Sequence, residues 1–319
     1  MTAHRQPDFI GHSSNGTRGR MTGKLTISID LELAWGVWDH VTGDDLALAE
    51  EADRVICAAL IELFERFGVP VTWAVVAALL DRSSAATRPG NAAAWYAPDI
   101  IERLVKSKVA HEIGSHSGRH LYFDRLSASE ARDDLEFAKD VHRANGLAFQ
   151  SFVFPRGAPG HLDLLAEAGL RTCNFADVGW VETARHAGQA AGRVANLVDK
   201  LLPIPPHPAQ PEKLGNVIHI PKSMLLMGRN GVRRFVLPAV TRRKMRLGLE
   251  RARRSGGIFH LWFHPSNFYY RREEQLATLA WFLEYAAKEA SLGHTEIRTM
   301  GSYAAKPARS EAAGARAVA

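Results

Sequence analysis

The chain has 319 residues, 46% apolar and 23% charged, a composition that supports a large core and excludes a fibrous or disordered protein. The formal charge is +6, yet residues 229–254 hold ten Lys and Arg against Glu250 alone, so the rest is acidic and nucleic-acid binding is not implied. Cys57 and Cys173 allow no disulfide framework and match no zinc spacing. With no secretory h-region and no apolar run of about 18 residues, a cytoplasmic protein is expected.

Residues 1–23 and 301–319 are polar and aperiodic and read as disordered tails around one domain, 24–300. Leu25–Ile29 is a buried strand ending at Asp30, and Leu46–Phe67 has helical period up to Gly68. Val71–Val76 is a β-branched strand. Asp99–Lys108 reads as a helix and Val109–Ser115 as a strand end. Ser127 and Glu130 form a capping box for a helix to Ala144. Phe149–Phe154 is a strand, Leu162–Ala168 a helix closed by Gly169, Ile258–Phe263 a strand and Thr278–Ala290 a helix. Residues 203–211 are a proline-rich surface loop. Within 229–254, Pro238 limits the chain to at most two short helices. This alternation implies parallel strands with crossover helices, as a barrel or a doubly wound sheet. No G-x-G-x-x-G follows the first strand, which argues against a dinucleotide site.

In parallel α/β folds the carboxyl ends of the strands build the active site, and polar residues gather at five such ends. Asp30 and Glu32 are two apart, on one face of an extended chain. One can bind a metal while the other accepts a proton, or both can be a solvated strand-end pair. His116 and His120 are four apart and face one way if the chain turns helically after Ser115, as two metal ligands require. His111 packs or caps locally. Arg156 ends an apolar strand and needs an acid, which Asp177 offers, and Trp180 adds an apolar wall. His260, Trp262 and His264 share a strand face. His264 lies at its carboxyl end, where an imidazole suits general-acid work, and His260 is a core histidine. Two histidines and a carboxylate with open positions suit a hydrolytic divalent metal such as zinc.

The order Asp-x-Glu, His-Ser-x-x-His, Phe-Pro-Arg, a Trp region and a terminal strand histidine resembles the polysaccharide deacetylase family (NodB homology, carbohydrate esterase family 4). Its most specific stretch is His111–His120. Leu261–Pro265 is similar to the subgroup found among bacterial surface-polysaccharide genes. The resemblance implies an α/β fold, a distorted (β/α)7 barrel, holding one divalent metal. It implies Glu32, His116 and His120 as ligands, Asp30 as base, His264 as acid, and Arg156 backed by Asp177 as the group orienting the base. Leu31 stands where the common motif has a second aspartate. Trp180 and Trp262 become pocket walls, and a backbone N–H near Gly157 an oxyanion donor.

The activity so implied is metal-dependent removal of an N-acyl group, foremost acetyl, from a sugar. A cytoplasmic site favours a nucleotide- or lipid-linked intermediate of surface-polysaccharide synthesis. Deformylation of an N-formyl sugar is chemically similar, and a catalytically silent carbohydrate-binding or scaffold barrel is the reading from another class. The basic segment 229–254 suits either a solvated helix face or contact with an anionic carrier or the inner membrane face.

Overall fold

A computed structural model describes residues 21–175, 192, 195, 198, 199 and 201–304. Ten strands make one sheet: β1 (Gly23–Leu31), β2 (Thr72–Val75), β3 (Glu112–Ser115), β4 (Ser151–Val153), β5 (Thr172–Asn174), β6 (Glu212–Leu214), β7 (Val217–His219), β8 (Met224–Leu225), β9 (Ile258–Phe263) and β10 (Thr295–Ile297). The order is β6-β7-β5-β4-β3-β2-β1-β9-β8, with β10 on β1, and only the β6–β7 pair is antiparallel. Seven parallel staves, β1, β2, β3, β4, β5, β7 and β9, give the expected distorted (β/α) barrel, with β6, β8 and β10 as short additions. The sheet is closed by the chain itself: Ala209 and Ile258 exchange backbone hydrogen bonds, the Ile220 N–H donates to Cys173 O, and the Ser223 N–H to His260 O.

Strand alternation sorts the side chains. On β1, Leu25, Ile27, Ile29 and Leu31 join the large core under the helices. Thr26, Ser28 and Asp30 face the barrel interior, where Thr26 meets the Tyr303 hydroxyl and Ser28 meets His260. The β1 side of the interior is therefore polar from bottom to mouth, while Ala74, Val153, Ile220 and Ile258 form an apolar cluster elsewhere inside it. At the bottom, Glu112 accepts hydrogen bonds from Thr72 (2.8 Å), from Ser151 and from the Gly301 N–H (2.9 Å). Because the staves are parallel, their carboxyl ends share one face, and the polar strand ends meet there.

The helices are α1 (Gly43–Ala47), α2 (Asp53–Phe67), α3 (Arg82–Ala86), α4 (Pro98–Val105), α5 (Ala128–Ala144), α6 (Leu162–Ala168), α7 (Pro238–Ser255) and α8 (Arg272–Ser291). The Ser127–Glu130 capping box opens α5, and Gly68 and Gly169 close α2 and α6 in left-handed conformation, as expected. Between α1 and α2 the continuous helix read from 46–67 holds a π turn, Leu48–Ala52, a form that recurs beside functional sites.

Three expectations are corrected. Pro238 does separate two helical stretches of the basic segment, a 3-10 turn at Gly231–Phe235 and α7, but α7 is 18 residues long rather than short, with Pro238 as its first residue, where no N–H is required. Five basic groups of 229–254 are engaged: Arg229 with Glu274, Lys244 with Asp199, Arg246 with Glu250, Arg253 with Glu289, and Arg251 on Pro205 O. The barrel does not stop at 300, since Gly301–Ala304 forms a turn against its bottom. Residues 116–120 are not helical; they are a loop. The other tail residues, 1–20 and 305–319, lie outside the described residues.

Candidate active site

Glu32 follows β1 directly, and Leu33 turns the chain sharply at φ 45°. Gly36 comes back against the Glu32 side chain so closely that a Cβ there would collide with its carboxylate. His116 follows β3 directly, and the loop it opens brings His120 round to the same point. That loop needs left-handed backbone at Ser117 and His120. Four of the six non-glycine residues with positive φ, Leu33, Ser117, His120 and Arg156, surround this mouth. Each costs about 1–3 kcal/mol, so the rest of the fold holds them there.

Glu32 Oε2 lies 3.0 Å from His120 Nε2 and 3.4 Å from His116 Nε2. These are three donor atoms of one carboxylate and two imidazoles, all within 4.8 Å of one another. His116 Nδ1 sits 2.8 Å from Val153 O, so that nitrogen donates and the Nε2 lone pair faces the cluster. His120 Nδ1 has no partner, but Trp38 Nε1 donates to the His120 carbonyl at 3.1 Å and fixes the backbone. The donor set and its geometry fit a zinc-like divalent ion with open positions.

His264 completes the centre. Its Nε2 is 3.7 Å from both Asp30 Oδ2 and Glu32 Oε1. Asp30 is buried, and its Oδ1 has no partner. Burial works to raise the Glu32 carboxyl, but His264, His120 and the hydrogen bonds of both clustered histidines hold it well below the usual range. The two histidines diverge. Burial works against the charge on each, yet Asp30 and Glu32 carry His116 upward. At His120 burial prevails, with His116 and Arg156 adding repulsion.

Other expected residues fall elsewhere. Arg156 does not reach Asp30: its Nη2 donates to Gly36 O at 2.8 Å and stands 4.0 Å from Asp39 Oδ1. Its side chain is 47% exposed, so it braces the turn behind Glu32 rather than the base. The backbone at Arg156 is left-handed, φ 56°. Gly157 has φ 64° and lies against Phe175 O, and its N–H donates to Phe154 O, so it is spent as an oxyanion donor. Trp262 stands beside His264, ring centres 5.6 Å apart, as a wall of the mouth. His111 packs away from the mouth, and burial lowers its imidazole to about 4. His260 is a core histidine, bonded to Ser28 at 2.9 Å and lowered by burial to about 3. Asp177 and Trp180 lie outside the described residues.

Sequence reasoning missed the wall formed by Trp38, Asp39 and Tyr122. The Tyr122 hydroxyl donates to Asp39 Oδ2 at 2.8 Å. It also missed Asp134, whose two oxygens accept the N–H groups of Gly118 (2.7 Å) and Arg119 (3.0 Å) and so shape the histidine loop. An acid in the first half of an amphipathic helix gives no signal of such a role.

Barrel and centre together define an α/β barrel with a histidine–carboxylate cluster at the carboxyl ends of its strands. Residues 41–173 match the family model for polysaccharide deacetylases, the family that the motif order resembles. The stretch includes His116, His120 and Arg156 but not Asp30, Glu32 or His264. No curated protein matches the sequence. Among solved structures, a protein of Mycobacterium smegmatis described as a polysaccharide deacetylase superposes with TM-score 0.60 at 16% identity, covering 90% of this chain and 90% of that one. The Puue allantoinase gives 0.58 at 17%, covering 95% and 97%. A protein of Pseudomonas aeruginosa PAO1 described as a polysaccharide deacetylase gives 0.57 at 15%, covering 88% and 89%. At these identities the likeness is one of fold.

Proposed function

We propose that this chain is a metal-dependent hydrolase that removes an N-acyl group, foremost acetyl, from an amino sugar. The observation that carries this reading is the convergence of Glu32, His116 and His120, bracketed by Asp30 and His264, at the mouth of the barrel. The family match supports carbohydrate deacetylation as the class of activity. In this reading Glu32, His116 and His120 hold one divalent ion, foremost zinc. Such an ion supplies Lewis-acid polarisation of the acyl carbonyl and a more acidic water.

The chain's own residues do the rest. Asp30, with one oxygen free, takes the proton of the attacking water. His264, between Asp30 and Glu32, gives a proton to the departing amine, which is a poor leaving group as an anion. Trp262 forms a side of the acyl and sugar pocket. Arg156 holds the Gly36 turn and thereby Glu32. A complete set of these groups argues against a catalytically silent barrel.

The test is elemental analysis together with acetate release from N-acetylhexosamines, with formate release from N-formyl analogues as the other arm. Asp30→Asn should keep the metal and lose at least a hundredfold in rate. His116→Ala should lose the metal. A near-wild-type rate in the Asp30 variant removes the base assignment, and a protein that takes up no divalent ion removes the reading.

The proposed setting is a carrier-linked sugar at the inner membrane face. Phe235 and Leu237, 66% and 65% exposed beside Arg233 and Arg234, support contact with an anionic surface. No described helix is long and apolar enough to cross a membrane. Absence of sedimentation with anionic liposomes at low salt removes this part.

A further inference from the structure

Among the described residues, Lys222 is a cation inside the barrel mouth without an anionic partner. Lys222 lies in the segment that closes the barrel between β5 and β9. Alternation along that segment places Ile218, Ile220 and Lys222 on the inward side, and the two isoleucines pack against Ala74, Val153 and Ile258 inside the barrel. Lys222 is 5% exposed, and its ammonium lies 3.9 Å from the centre of the Trp262 ring. Among the described residues it has neither an ion pair nor a hydrogen-bond acceptor. A buried ammonium is costly unless compensated, and a ring face compensates only in part.

Two further polar groups nearby are idle. The indole N–H of the same Trp262 is buried with no acceptor. Asn174, fully buried at the inward end of β5, has no partner for its carbonyl oxygen, and its amide nitrogen comes no closer than 3.5 Å to His260. An Asn amide can present either end to a ligand. A charged donor and a neutral donor thus share one indole, and the centre of the same ring stands 5.6 Å from that of His264. A neutral hydroxyl would satisfy the N–H and leave the ammonium uncompensated. A compact oxyanion satisfies both.

We propose that Lys222 and the indole N–H of Trp262, with the Asn174 amide, form a subsite for an anionic oxygen group, a carboxylate or a phosphate, borne by the sugar substrate. The inference rests on the barrel mouth being the sugar site, and it adds the charge of the sugar. The Trp262 ring lies against both Lys222 and His264, so the anionic group and the scissile amide belong to the same sugar or to its immediate linkage.

The experiment is calorimetric binding to the whole protein of D-glucuronate, glucose 1-phosphate and neutral D-glucose. None carries an acyl group, so the result does not depend on turnover. At least one anionic sugar should bind tenfold tighter than glucose. Glucuronate alone would assign a carboxylate, and glucose 1-phosphate alone a phosphate. Lys222→Met should lose at least tenfold of that affinity, and Lys222→Arg should retain most of it. Trp262→Phe, which keeps a ring but removes the N–H, should lose about threefold and serves if Lys222→Met does not fold. Equal binding of glucose and both anionic sugars, or undiminished binding in folded Lys222→Met, overturns the subsite. If acetate release fails on every sugar while anion binding depends on Lys222, the proposed activity falls and the subsite stands.

Discussion

Asp53, at the start of α2, is 2% exposed, and burial pushes its carboxyl up from 3.8 to about 8, with the charge of Glu32 adding to the rise and Tyr269 opposing it by a hydrogen bond. The native protein therefore keeps a proton that the unfolded chain releases above about pH 4. Where the native state binds more protons, stability falls with rising pH. The contribution of Asp53 is a loss of stability between about pH 4 and pH 8, levelling above that, against a gain up to about pH 6.5 from the buried neutral His111 and His260. In chelator, urea midpoints of Asp53→Asn relative to the unmutated chain should therefore rise steadily across about pH 4–8; a difference that does not change with pH would place the titrating group elsewhere. Asp53 is not readable as buried from its neighbours. Glu50, Glu51 and Arg54 make the stretch look like a solvated helix face, and the π turn Leu48–Ala52 breaks the helical phase just before Asp53. Glu32 and Asp30 are readable because an apolar strand runs straight into them, and parallel strands end where chemistry is done.

Between residue and barrel stands the loop that carries His116 and His120. Spacing four suggests a helical turn, and the outcome is the same convergence by another route: left-handed Ser117 and His120, with Asp134 of α5 accepting two backbone N–H groups. Side-chain spacing names the pair, but the backbone path depends on an acid fourteen residues after His120 that no local pattern marks. Gly36 is hidden in the same way, since its need arises only from the approach of Glu32. Asp134→Ala leaves the Gly118 and Arg119 N–H groups without an acceptor, at a cost of about 2 kcal/mol. Loss of the support beneath a ligand also lowers metal affinity, by about tenfold. Competitive metal titration and circular dichroism check both together: weaker binding with helix content kept is the expected result. Unaltered metal affinity would show that the loop holds its shape without Asp134.

At the scale of the whole molecule, strand–helix alternation leaves barrel and doubly wound sheet both open, and what decides between them is non-local. The sheet closes through Ala209, Ile220 and Ser223, which lie in loops and short strands with weak periodicity of their own. Its lower end is plugged by residues past the last strand, where composition suggests a tail. Met300 is fully buried there, its N–H donates to Thr72, the Gly301 N–H donates to Glu112, and the Tyr303 hydroxyl meets Thr26. These contacts make 299–304 part of the barrel. A chain of 21–304 is the reference for what this plug contributes. A chain ending at Arg298 loses the burial of Met300 and leaves Glu112 with fewer donors, a cost of about 4 kcal/mol. The urea midpoint should drop accordingly, while the mouth, at the opposite end of the staves, should still bind metal. If the shorter chain is as stable as the longer, the plug is dispensable and the domain ends where the composition changes.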